Sequence, residues 1–283
     1  YFPYPEINDD SIDHAVKLIK QAKKTLIVWG QGVILGNAEE EFKNFVEKSG
    51  VPAAWTILGL SALPTSHELN VGMVGMHGNY GPNILTNKCD LLIAVGMRFD
   101  DRVTGDPSTY ASQAKVIHLE IDPAEVDKNI KVDVPVIGNC KESLKMITNK
   151  IDKRSHKKWI SKFDDLMKIE FDKVIKSDLS PNKKGLTMGE SIIAINEFTN
   201  GDAIIVTDVG QHQMVACRYA NFIKSKSNIT SGGLGTMGFA LPAAMGAKMG
   251  AIEREVVAVI GDCLYQMTIQ ELGTIFQLQI PVK

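Results

Sequence analysis

The sequence predicts an α/β protein built as two parallel-sheet, three-layer domains, and three observations carry that expectation. Apolar runs of strand length lie at residues 25–29, 91–95, 116–121, 203–206 and 256–260, each ending at glycine or a polar residue. Amphipathic helical patterns lie between many of them, as parallel βαβ units require. A single stretch of mixed charge, IDKRSHKKWISKFDDLMKIEFDKVIKSDLSPNKKG, separates the first three runs from the last two.

In chain order, a Pro-rich opening, YFPYPEINDD, precedes a helix over 11–22 with Ser11 as its N-cap. The first strand, 25–29, runs into Trp29-Gly30-Gln31-Gly32, a glycine turn. A second helix over 38–49 stops at Gly50, which supplies the C′ position. Strand 91–95 opens a loop from Gly96 to Gly105 that sets Arg98, Asp100, Asp101 and Arg102 just past a buried strand, and strand 116–121 leads into Asp122-Pro123. The charged stretch over 151–185 reads as a linker with a solvated helix face, leaving 1–150 and 186–283 as the two domains. A helix over 188–198 and a strand over 203–206 follow, then a polar loop from Thr207 to Met214. No fixed-period repeat or low-complexity tract interrupts this order.

Composition narrows the partners. With 283 residues, 44% hydrophobic and 23% charged, the chain is ordinary globular material with length enough for two cores. A formal net charge of -2 gives no electrostatic reason to expect nucleic acid or an anionic membrane, so small molecules are the expected partners. Cys89, Cys140, Cys217 and Cys263 are scattered, which argues against a disulfide framework or a zinc site and fits a reducing, cytoplasmic setting. No apolar run approaches the roughly 20 residues of a membrane helix, and the opening lacks a signal peptide's basic flank and apolar core. The absence of an initial Met and the close on Ile280, Pro281, Val282 and Lys283 read as a fragment of a longer protein.

The densest chemical signal is residues 231–268, SGGLGTMGFALPAAMGAKMGAIEREVVAVIGDCLYQMT. Asp262 stands at a strand's carboxyl end, where open α/β sheets bind ligands. A carboxylate there can hold a hard divalent cation and the cation a diphosphate, while upstream glycines admit the ligand to the backbone. From spacing alone His212, in Gly210-Gln211-His212, reads as an ordinary loop hydrogen-bonder. In the first domain the dinucleotide fingerprint wants glycine at 35, where Leu35 stands with Gly36 displaced by one, so a strict Rossmann reading fails and a simple tight turn stays open. Arg98 and Arg102 either pair with the neighbouring aspartates or present their forks to a diphosphate. Glu120 and Asp122 could offer acceptors to ribose hydroxyls. His77 lacks a second metal ligand at suitable spacing and reads as a hydrogen-bonding residue, and Met73, Met76 and Met97 as core filler.

The wording GGLGTMGFALPAAMGA, together with GMVGMHGNYGPN and VGMRFDDRVTG, resembles the large catalytic subunits of the acetolactate synthase (acetohydroxyacid synthase) family of thiamin-diphosphate enzymes. The resemblance implies an FAD-binding middle domain followed by a truncated diphosphate-binding domain, with a pyrimidine-binding domain before Tyr1 and the family's metal-binding Asn pair after Lys283. It implies decarboxylation of pyruvate and condensation of the hydroxyethyl unit with pyruvate or 2-oxobutyrate, on the route to branched-chain amino acids. Thiamin diphosphate, Mg2+ and FAD are the implied cofactors, with a homodimer or homotetramer and a possible regulatory small subunit; the fragment alone is expected to be inactive.

Carried over by motif, the implied FAD contacts are Gly30, Gln31, Gly32, Thr56, Ile57, Leu58, Gly75, Met76, His77, Gly96, Met97, Arg98, Asp100, Arg102, Glu120, Ile121 and Asn139. Those implied for thiamin diphosphate are Gly210, Gln211, His212, Gly235, Met237, Gly261, Asp262, Cys263 and Leu264, with Asp262 also the metal ligand and Met237 matching the bulky residue that bends the cofactor. The chain departs from the family at Asn139, where Asp is common, at Val215, where Trp is usual, and at Cys263, where many thiamin enzymes have Gly. A left-handed backbone at Cys263 would cost about 1–2 kcal/mol. The activating Glu belongs to the preceding domain, so no catalytic residue is assigned within the chain. Rival readings are another flavin-and-thiamin enzyme, such as a pyruvate oxidase or glyoxylate carboligase, and a non-catalytic nucleotide-binding module.

Overall fold

Runs buried on both faces pair as parallel strands, and that is how the apolar segments assemble. The computed structural model describes residues 4–180 and 185–283 and divides the chain into two units, Tyr1–Leu63 with His67–Glu170 and Pro64–Ser66 with Phe171–Lys283. The Pro-Asn-Lys-Lys of the charged stretch, at 181–184, and the first three residues lie outside the described residues.

The first unit carries strands β1 (Thr25–Trp29), β2 (Ala53–Trp55), β3 (Asn70–Met73), β4 (Leu91–Val95), β5 (Lys115–Glu120) and β6 (Val134–Ile137). They form one parallel sheet in the order β3-β2-β1-β4-β5-β6. That is the strand order of doubly wound dinucleotide-binding folds, although the glycine fingerprint is broken. The helices are α1 (Asp9–Gln21), α2 (Gly32–Leu35), α3 (Glu39–Ser49), α4 (Tyr80–Thr86), α5 (Asp101–Thr104), α6 (Cys140–Lys150) and α7 (Lys157–Glu170). Side chains alternate across the sheet. Leu26 and Val28 join Leu92, Ala94, Phe99, Trp159 and Phe163 in one core, whereas Trp29 meets Phe42 of α3 with ring centroids 5.1 Å apart.

Two local expectations were altered. The cap of α1 is Asn8, whose Oδ1 accepts from the Asp10 amide at 2.8 Å, so Ser11 lies inside the helix. Asp9 and Asp10 then fill the first turn, where negative charge favours the helix. The boundary between units falls at Glu170 and Phe171, within the stretch 151–185, and much of that stretch is built into the first unit. Among the lysines and aspartates of α7, Trp159 and Phe163 sit four residues apart on one buried face, and the Trp159 indole donates to the Thr25 carbonyl at 2.9 Å. Gly50 ends α3 in the left-handed conformation, as expected.

In the second unit the π-turn Phe171–Ile175 and α8 (Lys176–Leu179) precede α9 (Met188–Thr199), which opens on a capping box between Thr187 and Glu190. There follow β7 (Ile204–Thr207), α10 (Gln211–Tyr219), β8 (Asn228–Thr230), α11 (Ala240–Gly250), β9 (Val256–Val259), α12 (Asp262–Met267) and α13 (Glu271–Leu278). The sheet is parallel, in the order β8-β7-β9, over a core of Ile204, Val206, Ala240, Ala244 and Val256. Thr65 belongs here because its amide donates to the Phe222 carbonyl and its hydroxyl accepts from the Phe222 amide, both at 3.0 Å. Among the described residues no helix is long and apolar enough to cross a membrane.

Candidate cofactor sites

Register builds the first site. Trp55 pairs with Trp29, Trp29 with Val95, Val95 with Leu119 and Leu119 with Val136, so five strands end at one level. The residues that leave the sheet there surround a cavity of about 530 Å³. Its walls include Gly30, Gln31, Gly32, Thr56, Leu58, Gly96, Met97, Arg98, Asp100, Glu120, Ile121 and Asn139, all expected from the motifs. Tyr4, Leu35, Gly36, Leu119, Asp122, Glu125, Gly138 and Cys140 also line it, and of these Tyr4, Leu119, Glu125 and Cys140 were not expected at a site from the sequence.

The glycines here serve the protein's own backbone. Gly30 donates to the Val95 carbonyl at 2.9 Å and Gly32 to the Gly96 carbonyl at 3.0 Å. A methyl group on Gly32 would lie 2.5 Å from the Gly96 Cα, and one on Gly30 would run into the Gly96 carbonyl oxygen. Gly96 itself has φ +56°. The ends of β1 and β4 can therefore touch only if all three residues lack a side chain, and their contact forms the cavity floor.

Glu120 is the buried charge of this cavity. Its Oε1 accepts from the Ile121 amide at 2.8 Å and the Asp122 amide at 3.3 Å, and its Oε2 lies 3.6 Å from His118 Nε2. Burial pushes the carboxyl upward, but the hydrogen bonds from His118, Ile121 and Asp122 outweigh it and hold the group below its usual range. His118 Nε2 also lies 2.8 Å from the Met97 carbonyl, and a carbonyl only accepts, so that nitrogen carries the proton. Burial, with Glu120 nearby, pushes the Cys140 thiol up to about 11.

Other expected residues have local duties. Asp100 caps α5 by accepting from the Arg102 amide at 3.0 Å, and Asn139 caps α6 by accepting from the Lys141 amide at 2.9 Å. Asn caps a helix about as well as Asp, which explains how that departure is tolerated locally. Arg98 and Arg102 are exposed beside Asp100 and Asp101, at 4.0 Å and 3.8 Å. Gly75, Met76 and His77 follow β3 and are tied to α5, the Met76 amide donating to the Arg102 carbonyl at 2.8 Å. Those three, with Ile57 and Arg102, lie outside the cavity lining. Met73 and Met97 are buried, as filler should be, while Met76 is exposed.

The second unit repeats the logic. Thr207 pairs with both Thr230 and Val259, so the loops opening at Asp208, Ser231 and Ile260 leave one end of the sheet together. His212 lies between two glycines, its ring 3.1 Å from where a Gly210 Cβ would be and 3.4 Å from that of Gly261. Its Nε2 is buried without a partner among the described residues, and burial lowers its pKa against the opposing pull of Asp208. An orphaned buried nitrogen at the start of α10, where helix amides favour anions, fits a phosphate oxygen. Asp262 is exposed, with Oδ1 accepting from the Cys263 amide at 2.8 Å, so one oxygen remains available to a cation. No cluster of three potential metal-ligating side chains exists among the described residues. Gly235 has φ +64°, and Met237 is mostly exposed. Cys263 lies within α12 and not among the left-handed residues, so the strain considered for it does not arise.

One residue escaped the sequence reading. Asp208 is fully buried at the end of β7 and accepts from the amides of Val209 at 2.9 Å, Gly238 at 3.1 Å and Ala240 at 3.1 Å. The signal was a carboxylate directly after a strand, the same that drew attention to Asp262.

Comparison with known proteins agrees with this layout. The family described as thiamine pyrophosphate enzyme, central domain, matches residues 12–147, and thiamine pyrophosphate enzyme, C-terminal TPP binding domain, matches 208–283. The chain is 42% identical to the acetolactate synthase large subunit of Corynebacterium glutamicum, over all of this chain and 45% of that protein. It is 39% identical to a probable acetolactate synthase large subunit of Methanococcus aeolicus, over 96% of this chain and 47% of the relative. To the acetolactate synthase large subunit of Lactococcus lactis it is 38% identical, over all of this chain and 48% of the relative. The chain thus spans about half the length of the curated relatives it matches. With its six-stranded sheet inside the first match and the loops of His212, Gly235 and Asp262 inside the second, the chain belongs to the thiamine pyrophosphate enzyme family.

Proposed function

We propose that this chain is the flavin-binding and diphosphate-binding portion of an acetolactate synthase large subunit. Such an enzyme decarboxylates pyruvate and joins the two-carbon unit to pyruvate or 2-oxobutyrate. The observation that carries this reading is the similarity, over the whole chain, to relatives named acetolactate synthase, held by two units whose strand ends each converge on one candidate site.

In the second unit, His212 Nε2 would meet a phosphate oxygen, Asp262 would ligate Mg2+, and Gly261, Cys263 and Leu264 would line the diphosphate beside Gly210 and Gln211. Gly235 and Met237 would face the pyrimidine. When bound, thiamin diphosphate supplies the electron sink that decarboxylation of a 2-keto acid requires. The chain's own residues hold and orient the cofactor and its cation. In the first unit, Glu120, kept ionised by its hydrogen bonds, would accept from FAD ribose hydroxyls, and the exposed forks of Arg98 and Arg102 suit a diphosphate. We place the assembled protein in the cytoplasm as a homo-oligomer, with room for a regulatory subunit.

The test uses the full-length protein with thiamin diphosphate, Mg2+ and FAD. Acetolactate is expected from pyruvate, with the flavin staying oxidised through turnover, and Asp262→Ala should abolish the Mg2+-dependent activity. Flavin reduction during turnover would identify a pyruvate oxidase, carboligation of glyoxylate a glyoxylate carboligase, and failure to bind thiamin diphosphate a nucleotide-binding module. The isolated 283-residue chain is expected to make no acetolactate.

A further inference from the structure

Asp208 has the burial of a core residue and the bonding of a cap. Both carboxylate oxygens are engaged by backbone amides, two of which, Gly238 and Ala240, lie 30 and 32 residues further along. Ala240 is the first residue of α11, and the residue at the cap position, Phe239, makes no side-chain cap of its own. Asp208 therefore caps α11 from another strand. The same contact closes the loop 231–239 onto β7, two residues before Gly210 and four before His212. Gly238 has φ +81°, a conformation favouring glycine, and it delivers its amide to the carboxylate. The Gly238 carbonyl in turn accepts from the Thr268 hydroxyl at 3.1 Å, so the far side of the loop is fastened to the end of α12. Its near side is held by Ser231, whose hydroxyl accepts from the Thr236 amide at 3.0 Å.

Resting on the reading of this unit as the thiamin diphosphate site, we propose that Asp208 is a positioning residue for cofactor binding: its carboxylate pins the loop bearing Gly235 and Met237 at a set distance from His212 and Asp262. It touches no cofactor atom. It acts by holding the loop in the cofactor-ready arrangement before binding, so that little ordering is left to oppose association. Among the described residues no lysine or arginine is paired with it, and the three amides take the place of a counter-ion. Asparagine keeps one acceptor oxygen but turns an amide nitrogen, itself a donor, toward backbone N–H groups, so it cannot satisfy all three.

The experiment compares full-length wild type, Asp208→Asn and Asp208→Ser, reading the half-saturating concentration of thiamin diphosphate at fixed Mg2+, the KM for pyruvate at saturating cofactor, and bound flavin as a report on the first unit. The expected result is a rise of tenfold or more in the half-saturating cofactor concentration in both variants, with pyruvate KM and flavin content within twofold of wild type. A folded Asp208→Asn protein with unchanged cofactor affinity overturns the proposal, as does a loss that scales equally across cofactor, pyruvate and flavin. If neither variant folds, backbone hydrogen exchange of the wild type without cofactor decides: protected Gly238 and Ala240 amides support the pin, and free exchange at both refutes it. Wild type that binds no thiamin diphosphate overturns the functional reading and this inference with it, whereas wild type that binds it, with variants unchanged, overturns this inference alone.

Discussion

Replacing Gly96 with alanine tests how the first site is built. Two costs add at this residue. Its φ of +56° is a conformation in which a side chain costs about 1–2 kcal/mol. The new methyl would also stand 2.6 Å from the Gly32 Cα, 2.9 Å from its carbonyl carbon and 3.1 Å from its nitrogen, all backbone atoms with no rotamer to yield. Overpacking of that kind costs about 1–3 kcal/mol. The sum is about 2–5 kcal/mol, and for a unit of this size each kcal/mol lowers Tm by about 2–4 °C.

Two controls separate the terms. Gly105, at φ +60° and ψ -119°, has nothing within 4 Å of a new methyl, so Gly105→Ala meets a backbone cost of its own with no packing cost. Gly32 is not left-handed, but its methyl would lie 2.5 Å from the Gly96 Cα, so Gly32→Ala meets the packing cost alone. Trp29, Trp55 and Trp159, all the tryptophans of the chain, lie in the first unit, so urea unfolding followed by fluorescence reads that unit selectively. Gly96→Ala should be the most destabilised and should lose bound flavin. A Gly96→Ala protein within about 0.5 kcal/mol of wild type, the range of an ordinary surface change, would refute the argument.

Alkylation of the native chain should modify Cys263 alone, because burial pushes the Cys89 and Cys217 thiols up to about 12 and Cys140 to about 11; four equivalents should react in denaturant, and more than one in the native protein would contradict the burial. Glu120 has a lowered folded-state pKa, so its contribution to stability is present above the unfolded carboxylate range and is lost as pH falls through the folded value. Stability of Glu120→Gln should accordingly fall less steeply than wild type on acidification, checked by urea midpoints between pH 6 and about pH 3. Phe163→Ala removes a fully buried ring from the face of α7 and should cost about 3–5 kcal/mol, measured in the same fluorescence assay. His212 starts with a lowered pKa, and a bound anion raises it, so cofactor binding should take up a proton; affinity should strengthen as pH drops from 8 toward 6 more in wild type than in His212→Gln.

Most of the strands that were legible in the sequence are those buried on both faces; Val256–Val259, a partly buried edge strand, was marked by its apolar composition alone. Leu91–Val95 and Thr25–Trp29 are continuous apolar runs because helices cover both sides of the sheet there. Three of the four unanticipated strands, Asn70–Met73, Val134–Ile137 and Asn228–Thr230, lie at sheet edges, and the fourth, Ala53–Trp55, has only three residues. Pro135 is tolerated because β6 has a free side, but it also disguises the segment as a turn. The same limit applies to the sites. Asp262 and the glycine loops could be read because their chemistry is local to a motif. Asp208 could not be assigned a role, because two of its three partners are 30 and 32 residues away and meet it only when β7 and α11 are packed. Gly30 and Gly32 were read as a tight turn or as contacts of a ligand; that the backbone of Gly96 approaches them is a fact of the sheet order.

The candidate sites of the two units differ in their degree of closure. The first cavity is walled by its own strand ends, with α6 and Tyr4 closing it, and its charge is internally compensated at Glu120. The phosphate end of the second site is comparably settled: Asp208 is sealed, His212 is held between glycines, and α10 begins there. Its other side is open, with Leu234 94% exposed and Met237 57%. Apolar side chains at that exposure are poorly placed to order a cofactor ring by themselves, since a ring gains most of its binding from surface removed from water on both faces. Substitutions at His212, Asp208 and Asp262 should therefore act on diphosphate affinity in any form of the protein. Substitution of Met237 should be silent in the isolated chain and act only where the assembled enzyme supplies the opposing wall.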